Sequence, residues 1–217
     1  MELKLKALRD RFSISLLEAY EYLIIILVCW LARPTNYSIG LGAIVSFIGI
    51  GLRIWTSGYP RDPVRFVVYG PYRFVRHPRL LGSFLMLLGV CVASRSSGAI
   101  VTMLLGTIVI FRSILHEEDH MLGRLAGSSF RDYSLHVSAF VPNIMPYARS
   151  ADYPHRFSWG YAMLKSRRRQ LDSTLVLVLG YAMLYGIKEL ARGGLLQTGL
   201  ALGVTLVIVG KSLMSKP

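Results

Sequence analysis

Gly70-Pro71-Tyr72-Arg73-Phe74-Val75-Arg76-His77-Pro78-Arg79-Leu80-Leu81-Gly82 runs from a Gly-Pro turn, through a cationic corner, directly into an apolar stretch that continues to Ser94. Pro71 and Pro78 each fix a backbone φ and stiffen the corner. Arg73, Arg76 and His77 are thereby held where water meets lipid, if the stretch Leu80–Ser94 enters a membrane. A simple anchor has no use for that arrangement. It points to a polar ligand site at the mouth of a membrane bundle.

Working outward, 53% of the 217 residues are hydrophobic and only 17% are charged, and the apolar residues fall in blocks. That composition excludes an ordinary soluble domain. The blocks lie at about Leu16–Leu31, Ile39–Ser57, Leu80–Ser94, Ala99–Leu115, Leu171–Leu190 and Leu195–Leu213. A straight crossing needs roughly 20 apolar residues, with about 17 as the lower limit. The third block is therefore short. The expected fold is all-α, a polytopic transmembrane helical bundle of about six spans.

A net charge of +13 would suggest nucleic acid in a soluble protein, but its distribution excludes that partner here. Lys and Arg number 4 before the first block, 5 between the second and third, 8 between the fourth and fifth, and 2 at or beyond the end of the sixth, 19 of the 25 in all. The opposite loops hold Arg33, Arg95, Lys188 and Arg192. This alternation follows the positive-inside pattern and places both termini in the cytosol, with the excess charge facing anionic headgroups. Cys29 and Cys91 both fall within apolar blocks, so neither a disulfide framework nor a metal site is indicated. The first block ends at Ala32-Arg33-Pro34 without a small-x-small cleavage pattern, which favours an uncleaved span.

The third and fourth blocks are joined by Ser94-Arg-Ser-Ser-Gly98, short enough to demand an antiparallel hairpin. Phe130, Tyr133, Val137 and Phe140 recur at helical spacing in the long polar segment that follows, with Pro142 and Pro146 expected to end that helix. Tyr147–Tyr161 mixes aromatic and cationic residues in the manner of a headgroup-layer segment. The expected division is a core over 1–147 and, over 148–217, this interfacial segment with a C-terminal hairpin.

The hairpin should bring its two ends together. One end carries Tyr72 and Arg76-His77-Pro78, and the other carries His116-Glu117-Glu118-Asp119-His120. Cationic and aromatic groups facing carboxylates could hold a zwitterion bearing an ammonium and a carboxylate. Equally, the carboxylates could pair with the arginines while the long side chains reach to headgroups. His116 and His120 are spaced i, i+4, as in a helical metal site, but the His-Glu-x-x-His order is absent and no metal is expected. Arg53 lies well inside the second block, where charge is costly enough to suggest a function, yet it can also snorkel. No Gly-x-Ser-x-Gly elbow or phosphate loop occurs.

The order Gly70-Pro-Tyr-Arg-Phe-Val-Arg-His-Pro-x-x-x-Gly82 resembles the signature of the isoprenylcysteine carboxyl methyltransferase and phospholipid methyltransferase superfamily. Glu118-Asp119-x-x-Leu122, Gly127, Phe130, Tyr133, Val137 and Pro142 are similar to its second signature, and together the two cover about residues 39–147. The resemblance implies a membrane methyltransferase using S-adenosylmethionine and a lipid or lipophilic small-molecule acceptor. Its cytosolic cofactor pocket would lie around the hairpin. Tyr72, Arg76, His77, Pro78, Arg79, Leu80 and Gly82 would line that pocket with Glu117 and Glu118, and Glu118 would take the cofactor's amino group. Glu118 is preferred because only its register aligns Leu122, Gly127, Tyr133 and Pro142 without a gap. Arg112 and His116 are the candidate catalytic residues. Leu80 stands where the family has Tyr, and Ile114 stands where the isoprenylcysteine enzymes carry a substrate-linked Arg. The competing readings are an NADPH-dependent sterol-type membrane reductase and a non-catalytic membrane scaffold.

Overall fold

The computed structural model describes residues 20–21, 23–25, 27–28, 30–59, 67–148, 157–160, 162 and 167–191, and every long element among them is helical. In chain order these are α1 (Asn36–Ser57), a 3₁₀ turn at Gly70–Arg73, α2 (Pro78–Ser94), α3 (Ser97–His136) and α4 (Arg167–Ala191). The described positions between 20 and 31 are helical as well. Helix α1 and the Ser97–Arg124 part of α3 are long and apolar enough to cross a membrane. Helix α2 is apolar but only 17 residues long, as its sequence anticipates. The expected fifth block falls within α4, while the sixth lies outside the described residues.

Local chemistry sets the helix ends. Thr35 and Ser38 form a reciprocal capping pair at the start of α1: the Ser38 amide donates to Thr35 Oγ1 (3.1 Å) and the Thr35 amide to Ser38 Oγ (2.9 Å). Between α2 and α3 the chain reverses within two residues. Arg95 adopts φ 55°, the Ser94 hydroxyl bonds back to the Cys91 carbonyl, and Ser96 Oγ accepts from the Ala99 amide to cap α3. The antiparallel hairpin expected from Ser94–Gly98 is therefore present.

The chain divides into two compact units. The first comprises 1–46, 87–104 and 173–217, and the second 47–86 and 105–172. Lipid gives helices no hydrophobic reason to associate, so small residues that admit close backbone approach do that work. In the first unit, a Cβ on Gly42 would lie 2.3 Å from the Gly89 carbonyl and 2.7 Å from Ala93 Cβ. Four polar contacts accompany this approach: Tyr20 Oη donates to the Met103 carbonyl (2.6 Å), Ser46 meets Tyr181 Oη (3.0 Å), and Lys188 bonds Asn36 Oδ1 (2.7 Å) and Glu189 (2.9 Å).

In the second unit, a Cβ on Gly49 would lie 2.7 Å from the Gly82 carbonyl and 2.8 Å from the Met86 amide. Arg53 packs its Cγ over Gly82 and donates to Ser83 Oγ at 2.6 Å, so it is buried between α1 and α2 instead of snorkelling. Replacing Gly49 by Ala would force backbone apart, for which overpacking costs of about 1–3 kcal/mol are usual. A lowered unfolding temperature in detergent is expected for Gly49→Ala. Gly51→Ala, with nothing within 4 Å of its Cβ, should be silent.

Helix α3 departs from expectation. It continues without interruption past the predicted end of the fourth span and bends at Gly127, whose φ 55°, ψ −125° lie outside the helical region. Phe130, Tyr133 and Val137 form a buried core with Val68, Leu122, Ala126 and Tyr147, as their spacing predicts. The helix stops at His136, before Pro142, and Phe140 leaves the stripe to pack edge-on against Phe84 and Phe111.

Candidate functional site

The Gly-Pro corner has a fixed shape. Gly70 takes φ 56°, and the Tyr59 ring occupies the space a Cβ would need. The following 3₁₀ turn is closed by the Tyr72 amide on the Tyr69 carbonyl and by the Phe74 amide on Pro71. Residues 138–147 then run back along the corner. Backbone bonds join Arg76 N to Ser138 O (2.9 Å), His77 N to Ala139 O (3.2 Å), Asn143 N to Phe74 O (2.8 Å) and Tyr147 N to Arg73 O (3.0 Å). The buried Tyr133 hydroxyl adds a bond to the Tyr72 carbonyl at 2.7 Å. Burial pushes that phenol well up, so it stays protonated and donates.

Pro78 opens α2, and this places His77 at the helix's edge facing α3. Its Nδ1 lies 2.8 Å from Glu118 Oε2 and its Nε2 2.9 Å from Asp119 Oδ1. Arg76 Nη1 donates to the other Asp119 oxygen at 2.7 Å. Burial is the largest single influence on His77 and opposes charge. The hydrogen bonds to Asp119 and Glu118, with their negative charges, together outweigh it and raise the histidine above its ordinary 6.5. Both ring nitrogens then donate, one to each carboxylate. Two cations thus face two carboxylates.

One atom is left over. Arg76 Nε is the buried side-chain donor without a hydrogen-bond partner among the described residues. A donor in that state costs free energy unless an acceptor reaches it. The group implied by the resemblance carries an amino-acid moiety with a carboxylate and an ammonium, and the residues fit it: Arg76 Nε would donate to the carboxylate, and Glu118 or Asp119 would accept from the ammonium.

The hairpin therefore brings together Arg76, His77 and Glu118 as expected, and shows that the carboxylates do pair with the cations. Asp119, which bridges both cations, belongs to the acidic run expected to face them but not to the residues expected to line the cofactor pocket. Its signal was present as the second acid of the pair, but the motif register drew attention to Glu118. Tyr133, read as part of the apolar stripe and of the second signature, and Tyr147, read as the start of the headgroup-layer segment, also serve the corner. Tyr72, Pro78 and Leu80 are buried and Arg79 is half-buried. Gly82 faces Arg53 and Gly49, a helix contact. Arg112 and His116 occupy exposed positions on α3, the latter with its ring 6.1 Å from that of His120, whose Nδ1 accepts from Arg124. The Glu117 side chain lies outside the described positions.

Among the described residues, then, every long element is helical, two helices are long and apolar enough to cross a membrane, and a part-buried cation–carboxylate cluster sits at the open end of the α2–α3 hairpin. Residues 39–125 match the family described as phospholipid methyltransferase, in agreement with the superfamily resemblance carried by the two signatures. The chain is also 26% identical over 154 residues, 70% of its length and 67% of the relative's, to the nickel-cobalt-cadmium resistance protein NccN of Alcaligenes xylosoxydans xylosoxydans. No solved structure matches it.

Proposed function

We propose that this chain is an integral, multi-pass membrane methyltransferase that uses S-adenosylmethionine and acts on a lipid or lipophilic acceptor. Six spans, cytosolic termini and a cytosolic site belong to the same reading, supported by the distribution of Lys and Arg. The observation that carries it is the Arg76–His77–Glu118–Asp119 cluster with its unsatisfied Arg76 Nε, inside the region that matches the methyltransferase family.

When bound, S-adenosylmethionine supplies an already activated methyl group, so no covalent enzyme intermediate is needed. What remains for the protein is to hold the reactants in line and exclude water. Arg76 and Glu118 bind and orient, His77 keeps Glu118 and Asp119 in place, and the 138–147 strap fixes the height of the corner. Arg112 and His116 stand exposed on α3, where His116 would take up an acceptor's proton and pass it to water while Arg112 supplies a fixed positive charge.

Ile114 gives the acceptor prediction. An anionic carboxylate brought to that point would meet an aliphatic side chain, and burying it unpaired would cost several kcal/mol. Prenylcysteine carboxylates should therefore be methylated poorly or not at all, and acceptors with a neutral reactive atom, such as a lipid amine, should be favoured. A radiolabelled methyl-transfer assay comparing N-acetyl-farnesylcysteine with membrane lipid extracts tests this. Robust turnover of the farnesylcysteine would overturn it and point to Arg53 or Arg112 as the anchor.

A further inference from the structure

The strap that ties down the corner also displays a set of apolar side chains that the proposed reaction does not use. Ile144 is 97% exposed, Met145 82%, Val141 67%, and Leu135 just before them 78%. These positions are not loosely tethered. Backbone bonds at 138, 139, 143 and 147 hold the strap to Arg73–His77, and Phe140 plugs it between Phe84 and Phe111 at ring separations of 5.3 and 5.8 Å. A tethered loop that packs one half-buried aromatic inward and turns its other large apolar side chains outward needs an apolar partner.

The position of Phe140 says which partner. Phe84 lies six residues beyond the start of α2, about 9 Å along its axis, and Phe111 lies seven residues before Glu118, about 10 Å along α3. The plug thus sits roughly a turn and a half or more from the charged cluster, beside the apolar block Ala99–Leu115 that precedes the cluster on α3. Trp55, near the end of α1, contacts Phe74, whose carbonyl accepts from Asn143 in the strap, and Trp is a side chain favoured where lipid meets water.

We propose that Val141–Met145 is a wedge seated in the lipid leaflet on the His77 side of the bilayer, its partner the boundary between acyl chains and headgroups. The proposal rests on the reading of α1 and α3 as membrane-crossing helices. Because the strap is bonded to the backbone of Arg76 and His77, seating the wedge also sets the height of the site against the leaflet.

Nitroxide labels test this in the full chain, with Cys29 and Cys91 replaced by Ala, reconstituted in phosphatidylcholine–phosphatidylglycerol vesicles. Labels are placed through Ile144→Cys, through Arg131→Cys as an exposed polar comparison, and through Ile108→Cys on the exposed face of α3. Collision rates with oxygen and with a water-soluble nickel chelate are read by electron paramagnetic resonance. Position 144 is expected to show an oxygen-to-nickel ratio several-fold above that at 131 and closer to that at 108. A ratio at 144 equal to that at 131 places the loop in water and overturns the wedge. Suppression of both collisions at 144 means protein covers the loop, a second copy included, and overturns it too. In either case a lipid-like value at 108 leaves the membrane reading standing, whereas a water-like value at 108 removes both.

Discussion

Glu118→Gln should weaken S-adenosylmethionine binding about 10- to 150-fold, and Glu117→Gln should do far less. A charge-assisted hydrogen bond to an ammonium contributes roughly 1.5–3 kcal/mol, which sets that range. Glu118 is the acid whose register aligns the downstream motif, and it meets His77 Nδ1 at 2.8 Å. Calorimetric titration of the two variants with S-adenosylmethionine and S-adenosylhomocysteine makes the comparison. Both ligands carry the amino-acid moiety, so Glu118→Gln should weaken them in parallel. Equal losses at 117 and 118 would show the register to be wrong.

The second large effect is on stability. His77 is 4% exposed and donates to two carboxylates whose side chains are 27–28% exposed. Removing it takes a buried cation away from both Glu118 and Asp119. Breaking a buried pair costs about 3–5 kcal/mol, and the partial exposure of the carboxylates brings the expectation for His77→Ala to about 2–4 kcal/mol. The pH dependence follows from the raised histidine. Its contribution is complete below the unfolded value of 6.5 and is lost as pH rises through the higher folded-state value. The wild-type unfolding temperature in detergent should therefore fall as pH increases above 6.5, and His77→Ala should lack that component. A variant that retained the wild-type slope would show that His77 is not the titrating group.

The helical class, the short α2 and the α2–α3 hairpin were legible because apolar blocks and a two-residue reversal leave few alternatives. The meeting of Arg76-His77 with the acidic run followed from that hairpin alone. The continuity of α3 was not legible, since the block 99–115 ends where polar residues begin and nothing local marks whether the helix goes on. Gly127 did attract notice, but as a motif position; that it bends an otherwise unbroken helix depends on the core formed by Phe130, Tyr133 and Val137. Asp119 escaped because two adjacent acids on a helix differ by about 100° in direction, and sequence does not say which of them faces the partner. Gly82 read as part of a ligand motif, yet it sits under Arg53, because a signature glycine can equally serve close helix packing.

The most direct test of the account is titration calorimetry of the detergent-purified full chain with S-adenosylmethionine, S-adenosylhomocysteine and NADPH under one set of conditions. Saturable one-to-one binding of the first two, abolished or strongly weakened by Glu118→Gln, with no heat from NADPH, is the result expected. Binding of NADPH in their place, or of none of the three by protein that still unfolds cooperatively, would contradict it.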